Sequence, residues 1–546
     1  MSAAHRDTKF AILKKNTSDR NSVLDASIEK PIAPLQAAAT ADAAKVTSGS
    51  LLARNTGWNL AGQVLPMAVG LFAIPRLIHA LGTDRFGVLT IAWMVVGYFS
   101  FFDLGLGRAM TNLVAQNLAA GGEDELPAII WTANLLMGVL GILGAIALVL
   151  LSPVLVCDLL KTPVLLQLET TRAFYVLGLS MPFVISTAGF RGILEARQKF
   201  RIINLVKVPM GVATFAAPLL VLPWSKNLTA VVGILVIVRF LFWIAYVSLA
   251  LRDMPSLLRG IVVDTHMFSK LFSFGAWMTV SNIVAPIMAY LDRFLVGMLL
   301  SLTAVAYYAT PWEVVTKVLL VPGALVGVLF PAFSTALIAD PSRAGMLFRR
   351  AVKYVAIVLF PVLLLIVLFA RDGLTIWLGS DFAGHSTRVL QWLALGVFAN
   401  GLGLVPFALV QGAGRADITG KVNLLELPFY LVCVWVLTKH FGIQGTAIAW
   451  SLRVIVECVL LFCVADRILG KTLPVKSALG GAAAVAAAFV LSMTGMTLPT
   501  KFIVYGIALG AFFLTAWFAL LIDERRLWGR FRFAGALGKQ VIPPQH

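Results

Sequence analysis

Long apolar segments, separated by short polar connections, make up most of the chain. About 20 apolar residues in an α-helix, at ~1.5 Å rise each, cross the hydrocarbon core of a bilayer. Fourteen segments approach that length, at residues 57–78, 86–107, 128–151, 173–190, 204–223, 228–250, 271–298, 304–336, 354–370, 388–411, 422–438, 443–465, 476–494 and 502–522. The pattern therefore predicts an all-α polytopic membrane protein with about fourteen transmembrane helices.

The chain repeats itself at a spacing of about 219 residues. Residues 204–209 read NLVKVP and residues 423–428 read NLLELP, while Trp93 recurs as Trp312. Each copy holds six predicted spans, and because six is an even number the second copy enters the membrane from the same side as the first. We therefore expect two six-helix lobes in parallel duplication, related by an axis along the membrane normal, plus an accessory C-terminal pair of helices.

These features divide the chain into five regions. The two lobes follow a polar, Ala-rich tail without the apolar core of a signal peptide, and a basic segment follows the accessory pair. The predicted regions are a disordered cytoplasmic tail (1–50), the N-lobe (51–252), the C-lobe (253–470), the accessory pair (471–524) and a basic cytoplasmic tail (525–546).

Composition agrees with a protein that lies in lipid. Hydrophobic residues make up 59% of the chain and charged residues 13%, too few to cover a soluble surface. The net charge of +18 is not gathered on a basic, aromatic-rich face, so nucleic acid is not expected as a partner. Most of the 44 Lys and Arg residues lie in the tails and in alternate connections, which places both termini in the cytoplasm.

Signatures of catalysis, redox chemistry and metal binding are missing from the sequence. The four Cys and six His residues have no metal-ligand spacing, and Gly470-Lys471-Thr472 lacks the first glycine of a phosphate-binding loop because Ala465 stands there. We therefore expect no cofactor and no enzyme. An integral-membrane glycan polymerase or ligase is the enzymatic alternative, but the longest outside connections, 152–172 and 371–387, leave little room for a catalytic domain.

Ionisable residues inside the predicted spans are the candidate functional residues, because each is costly in lipid and usually faces a cavity or a partner. Arg239 and Arg453 lie near the midplane at equivalent places in the two copies. Two converging cations suit a phosphate or pyrophosphate group. The alternative is that each arginine pairs with a carboxylate, and Glu457 lies one turn after Arg453.

Further charged residues lie in the second copy and near the end of the first span. Glu313 and Lys317 are spaced i, i+4 and Asp292 adjoins Arg293, so both pairs can be structural or can exchange partners. Arg76 can extend to the membrane surface instead of binding substrate. The further candidate cavity cations are Arg76, Arg293 and Lys317, and the candidate coupling or ion-pair acids are Asp292, Glu313, Glu426 and Glu457.

Three segments carry a family resemblance that covers roughly residues 50–525. Residues 102–109 (FDLGLGRA), 192–200 (GILEARQKF) and 411–415 (QGAGR) resemble motifs of polysaccharide-export flippases in the multidrug/oligosaccharidyl-lipid/polysaccharide superfamily. The resemblance implies transfer of an undecaprenyl-diphosphate-linked oligosaccharide between leaflets of a bacterial inner membrane. It also implies membrane lipid as a partner and polysaccharide polymerase and glycosyltransferase machinery as candidate partners.

A drug/cation antiporter of the same architecture is the alternative function. Such exporters offer acidic, aromatic cavities to cationic drugs, whereas the midplane residues here are arginines. The sequence therefore favours an anionic substrate over a cationic one.

Overall fold

A computed structural model of the chain describes residues 49–99, 106–120, 123–197, 199–264, 288, 290–339, 341–470, 488–489, 491–494 and 496–519. These residues form helices and short connections, without a β-strand. Residues 1–48 of the predicted tail 1–50, the predicted tail 525–546 and the segment 102–105 of the first family motif lie outside the described residues. Most of the predicted spans 271–298 and 476–494 lies outside them as well.

In the first half of the chain, the described residues form eight helices. Their bounds are α1 (Gly49–Leu81), α2 (Thr83–Phe99), α3 (Leu106–Ala120), α4 (Leu126–Val154), α5 (Val164–Gly178), α6 (Met181–Ala196), α7 (Phe200–Val221) and α8 (Leu228–Asp253). Asn227 starts α8, because its side-chain oxygen accepts a hydrogen bond of 2.8 Å from the Thr229 N–H. α8 packs against α5, α6 and α7 and so organises this half.

The second half is organised around α14. It contains α9 (residues 290–299), α10 (Leu302–Val315), α11 (Leu320–Ala339), α12 (Pro341–Leu368), α13 (Ala370–Leu378), α14 (Ser380–Gly412) and α15 (Ala416–Ile468), followed by α16 (Leu498–Ala519). α14 packs against α10, α11, α12, α13 and α15. Within the described residues, nine helices are long and apolar enough to cross a membrane, fewer than the fourteen spans expected from the sequence.

α15 accounts for part of this difference, because it contains two predicted spans. Gly442 interrupts the helix with φ 61° and ψ −145°, a conformation that favours glycine. The chain reverses there, and the hydroxyl groups of Thr438 and Thr446 lie 2.7 Å apart. We call residues 416–441 the first arm and residues 443–468 the second arm of α15.

The two long outside connections predicted from the sequence are mostly helical. Segment 152–172 contains the end of α4, a π-helical turn and the start of α5, and segment 371–387 contains most of α13 and the start of α14. Polar residues of these segments bind neighbouring helices. Asp372, for example, is ion-paired with Lys501 of α16.

Other boundaries also differ from the prediction. The predicted span 173–190 lies in a longer pair, α5 and α6. The predicted span 86–107 is helical up to Phe99, and residues 100–105 of it lie outside the described residues. The predicted span 304–336 is divided by a 3-10 turn at Thr316–Leu319. Thr316 donates its hydroxyl to the Trp312 carbonyl at 2.7 Å, a bond that competes with regular helix geometry.

α16, from the predicted accessory pair, is attached to the second half. Besides the Lys501–Asp372 ion pair, the ring of Phe512 stacks on Phe360 with centroids 4.2 Å apart. Tyr505 donates a hydrogen bond of 3.2 Å to the Pro361 carbonyl. These contacts fix α16 to α12 and α13 along its length.

Candidate transport path

The two halves meet where the first turns of α2 and α10 touch. The Thr303 hydroxyl donates a hydrogen bond to the Asp84 carboxylate, and these two residues are 219 residues apart, the spacing of the sequence repeat. A contact between equivalent residues lies on the axis that relates the two copies. The contact therefore supports the parallel duplication expected from the sequence.

We call this junction the outer seam, because the charge pattern predicts that it faces outward. Gly87 packs so closely that a Cβ atom there would lie 2.0 Å from the Leu302 carbonyl oxygen. Two side chains add contacts across the halves. Lys161 donates to the Leu299 carbonyl at 2.6 Å, and the Trp377 indole N–H donates to the Leu71 carbonyl at 2.7 Å. The seam is closed in this structure.

A cavity of about 110 Å³ lies between the halves, and residues of both α2 and α10 line it. We call it the interlobe cavity. The first half contributes Thr90 and Trp93 from α2 and Phe215 from α7, and the second half contributes Tyr290, Arg293, Thr310 and Glu313. Trp93 is held by an edge-on contact with Phe215, with centroids 5.2 Å apart.

The charged wall of the interlobe cavity is a network on α9 and α10. Arg293 is 2% exposed and its guanidinium lies 3.9 Å from the centre of the Trp312 ring. Glu313 lies between two cations, 3.8 Å from Arg293 and 3.2 Å from Lys317. The structure thus brings together Arg293, Glu313 and Lys317, which the sequence had suggested as two separate pairs.

Asp292 faces away from this wall. It is fully buried and accepts a hydrogen bond of 2.6 Å from the Tyr308 hydroxyl. One of its oxygens also accepts the Arg293 backbone N–H at 2.7 Å. A buried carboxylate with two donors is a stable structural element, so Asp292 anchors α9 to α10.

A second cavity, of about 310 Å³, lies inside the second half. Its polar lining comes from Asn400 of α14 and from Asn423, Arg453 and Glu457 of α15, and Trp312 forms part of its wall. Trp312 therefore lies between this second-half cavity and the Arg293 network that lines the interlobe cavity. The two cavities share the partition formed by Arg293 and Trp312.

Arg453 has the carboxylate partner that its spacing suggested. Its guanidinium lies 3.7 Å from Glu457 and 5.4 Å from the centre of the Tyr430 ring. Glu426, in the first arm, is only 8% exposed, and neither of its carboxylate oxygens has a hydrogen-bond partner among the described residues. Glu426 is the candidate acid with the least compensated charge.

Arg239 is placed differently from Arg453. It lies four residues after Leu235 and seven before Tyr246, both buried, so it is on the inward face of α8. It is half-buried, lines neither cavity, and has no ion-pair partner in the part of the chain that the structure describes. The two repeat-equivalent arginines thus differ in their surroundings.

Arg76 lies apart from the other candidates. It is exposed on α1, donates to the Phe72 carbonyl at 2.9 Å and lines an open groove beside Trp377. This placement agrees with a side chain that extends to the membrane surface.

Several polar contacts were not anticipated from the sequence. Glu169 binds Arg85 at 3.0 Å and accepts the Leu228 backbone N–H, so it joins α2, α5 and the start of α8. Asp253 binds both Arg197 and Lys199, cations that the sequence assigned to membrane topology. Among the residues that the first half contributes to the interlobe cavity, the sequence singled out Trp93. Its recurrence as Trp312 marked the repeat but did not indicate a cavity.

Comparison with known proteins gives the family. Residues 76–387, more than half of the chain, match the family described as "Polysaccharide biosynthesis protein". The chain belongs to this family. A Shigella flexneri protein assigned as an O-antigen transporter is 30% identical over 408 residues, covering 75% of this chain and 96% of the relative. The resemblance to polysaccharide-export proteins is confirmed.

Solved structures show the same fold. An inward-facing multidrug resistance transporter of the MATE family, in the MOP superfamily, superposes with a TM-score of 0.62 at 15% identity, covering 76% of this chain and 99% of that chain. The lipid II flippase MurJ, in an inward closed conformation, also gives 0.62 at 14% identity, covering 83% of this chain and 97% of that chain. The expected fold class, an all-α multi-pass membrane protein, is confirmed.

Proposed function

We propose that this protein is a flippase for polysaccharide biosynthesis. It moves an undecaprenyl-diphosphate-linked oligosaccharide repeat unit from the inner to the outer leaflet of the bacterial inner membrane, by alternating access between its two halves. The relatives support this class of substrate, since one is assigned as an O-antigen transporter and the fold is that of a lipid II flippase. On this proposal the protein makes no covalent change, and polymerases and glycosyltransferases act before and after it.

The observation that carries the proposal is the presence of buried cations in the walls of cavities within an apolar helical bundle. Arg293 is 2% exposed at the interlobe cavity and Arg453 lines the second-half cavity. A diphosphate head group cannot cross hydrocarbon unaided, whereas its polyprenyl tail can remain in lipid. Cations in a path between the halves lower the barrier for the head group, and guanidinium groups suit phosphate oxygens.

The energy for transport comes, on this proposal, from an ion gradient or the membrane potential. Glu426 is the acid best placed for coupling, because it is buried without a hydrogen-bond partner among the described residues and lies within electrostatic reach of Arg453 and Glu457. An uncompensated carboxylate in the membrane favours binding of a proton or a cation. Moving one charge through the field gains ~2.3 kcal/mol per 100 mV.

The test uses purified protein in proteoliposomes that contain undecaprenyl-diphosphate-linked oligosaccharide. Flipping is measured by access of an enzyme outside the vesicles to the sugar, with and without an imposed proton or sodium gradient. We expect the gradient to accelerate flipping and Glu426→Gln to remove the acceleration. Flipping that requires ATP and ignores every gradient would contradict the coupling. Absence of flipping, with extension or ligation of glycans by the purified protein, would favour the enzymatic alternative.

A further inference from the structure

Besides its charged residues, the interlobe cavity is lined by aromatic and hydroxyl-bearing side chains. Four aromatic rings, those of Phe86, Trp93, Phe215 and Tyr290, line it together with hydroxyl groups of threonines from both halves. Binding sites for small organic groups combine apolar and aromatic walls with a few polar groups that fix orientation. A phosphate group uses the cations and has no need of the rings. The rings therefore suggest a second part of the ligand.

Two buried hydrogen-bond donors in this cavity have no partner among the described residues. These are the indole N–H of Trp93 and the hydroxyl of Thr310, whose side chain is 3% exposed. Leaving such a group unpaired in the interior costs free energy, so their retention in a cavity wall points to an oxygen-rich occupant. The hydroxyl groups of Thr90 and Thr214 already donate to their own helices, which leaves their oxygens available as acceptors.

The charges around the cavity compensate one another. Glu313 lies within 3.8 Å of Arg293 and 3.2 Å of Lys317, and Asp292 adjoins Arg293. Arg293 and Glu313, the charged residues that line the cavity, therefore leave no net charge at its wall. Glu313 would repel the carboxylate of a uronic acid, whereas an uncharged sugar with hydroxyls can use the donors, the acceptors and the rings together.

We propose that the interlobe cavity binds one uncharged sugar ring of the lipid-linked oligosaccharide. The apolar face of the ring packs on Trp93, and its hydroxyl oxygens accept from the Trp93 N–H and the Thr310 hydroxyl. Its own hydroxyls donate to Glu313. This inference rests on the proposed flippase function and adds to it the class of sugar that the site prefers, neutral over uronic acid.

The site also lies where a ligand can pass between the halves. Trp93 and Thr90 belong to α2, and Thr310 and Glu313 belong to α10, the two helices that close the outer seam. Separation of these helices at the seam would divide the binding groups between the two halves. A sugar bound with the seam closed is thus released when the seam opens.

Equilibrium binding to purified protein in nanodiscs tests this proposal. The probes are radiolabelled undecaprenyl diphosphate, undecaprenyl diphosphate glucose and undecaprenyl diphosphate glucuronic acid. We expect the glucose-bearing lipid to bind about tenfold more tightly than the sugar-free lipid, as expected for one or two additional hydrogen bonds. The glucuronate-bearing lipid should show no such gain.

Variants separate the sugar site from the rest of the protein. Trp93→Leu should remove the preference for glucose and leave binding of the sugar-free lipid unchanged, while Trp93→Phe and Thr310→Val should each reduce the preference in part. Trp243→Leu is the matched control, because Trp243 is also half-buried with an unpartnered indole N–H but lines neither cavity. This control should retain the preference.

The outcomes distinguish the two proposals. If Trp93→Leu keeps the full preference for glucose, or if the native protein binds glucuronate equally well, the sugar site is wrong while binding of the sugar-free lipid still supports the flippase. If the native protein binds none of the three lipids, the proposed function fails and the sugar site fails with it.

Discussion

At the scale of single residues, the repeat-equivalent arginines Arg239 and Arg453 have different surroundings. Arg453 has Glu457 one turn away and a tyrosine ring beside it, whereas the corresponding residue one turn after Arg239 is Trp243. A cation inside a membrane protein without a fixed counter-charge is costly, and such residues mark functional sites. Arg239 is therefore a candidate for binding an anionic group, in addition to the cavity cations Arg293 and Arg453.

Substitution of the two arginines should separate these roles. Arg239→Gln should reduce glycan export roughly 10- to 100-fold, as expected for loss of a charge-assisted hydrogen bond to substrate, with normal abundance in the membrane. Arg453→Gln should lower abundance as well, because Glu457 loses its partner, and the double variant with Glu457→Gln should recover abundance. Export and immunoblotting of membranes measure both effects. Normal export by Arg239→Gln would contradict a role in substrate binding.

Arg239→Lys is the conservative control. Lysine keeps the charge but lacks the planar fork of arginine, so it should restore export only in part. Complete restoration would show that charge alone is needed at this position.

At the scale of elements, the contact of α2 with α10 controls access to the interlobe cavity. Main-chain atoms approach one another at Gly87 and Leu302, so this contact tolerates no side chain. Alternating access requires that such a seam open and close without strong interactions to break. Among the described residues, the seam has few polar contacts, the Thr303–Asp84 hydrogen bond and those donated by Lys161 and Trp377, together with close backbone packing, which fits that requirement.

Gly87→Ala should hold the seam open. The added methyl group would meet the Leu302 carbonyl oxygen at 2.0 Å, and overpacking of this kind costs ~1–3 kcal/mol. That cost shifts the equilibrium away from the closed form by roughly 5- to 150-fold. In a cysteine-free background, the yield of a disulfide between Asp84→Cys and Thr303→Cys reports closure and should fall with Gly87→Ala.

Gly138→Ala provides the matched control for this substitution. Gly138 also lies within a helix, α4, but a Cβ atom there meets nothing within 4 Å. The disulfide yield should therefore stay unchanged. An equal fall for both variants would mean that helix propensity, and not the seam, is responsible.

The sequence predicted the helical class and the repeat because apolar length and spacing are properties of the chain alone. It also predicted the Arg453–Glu457 and Glu313–Lys317 pairs, which are local contacts one helical turn apart. It did not predict Glu169 with Arg85, or Lys501 with Asp372, because these partners are far apart in the chain and meet only through packing.

At the scale of the whole molecule, the charge asymmetry predicts which side faces the cytoplasm. In a cysteine-free variant, a cysteine replacing Ser342, near the start of α12, should be protected from membrane-impermeant thiol reagents in intact cells. A cysteine replacing Ser380, at the start of α14, should react. Both positions are exposed in the fold, so burial does not explain a difference. The opposite labelling pattern would reverse the orientation and the proposed direction of substrate entry.

Replacement of the native cysteines is essential for this measurement. Cys157 and Cys463 are exposed, and in the predicted topology they lie toward opposite sides of the membrane. Either one would add a background signal. A clear result therefore requires that the cysteine-free protein still exports glycan.

The outer seam has a consequence for how this family can diverge. Three of its contacts use main-chain carbonyl oxygens as one partner, those of Leu71, Leu299 and Leu302. A carbonyl oxygen is present whichever amino acid occupies the position, so mutation there leaves the acceptor in place. Genetic drift can then alter one side of each contact freely while the donors Lys161 and Trp377 and the small Gly87 remain under selection. Distant relatives can keep the same closing contact with little sequence left in common.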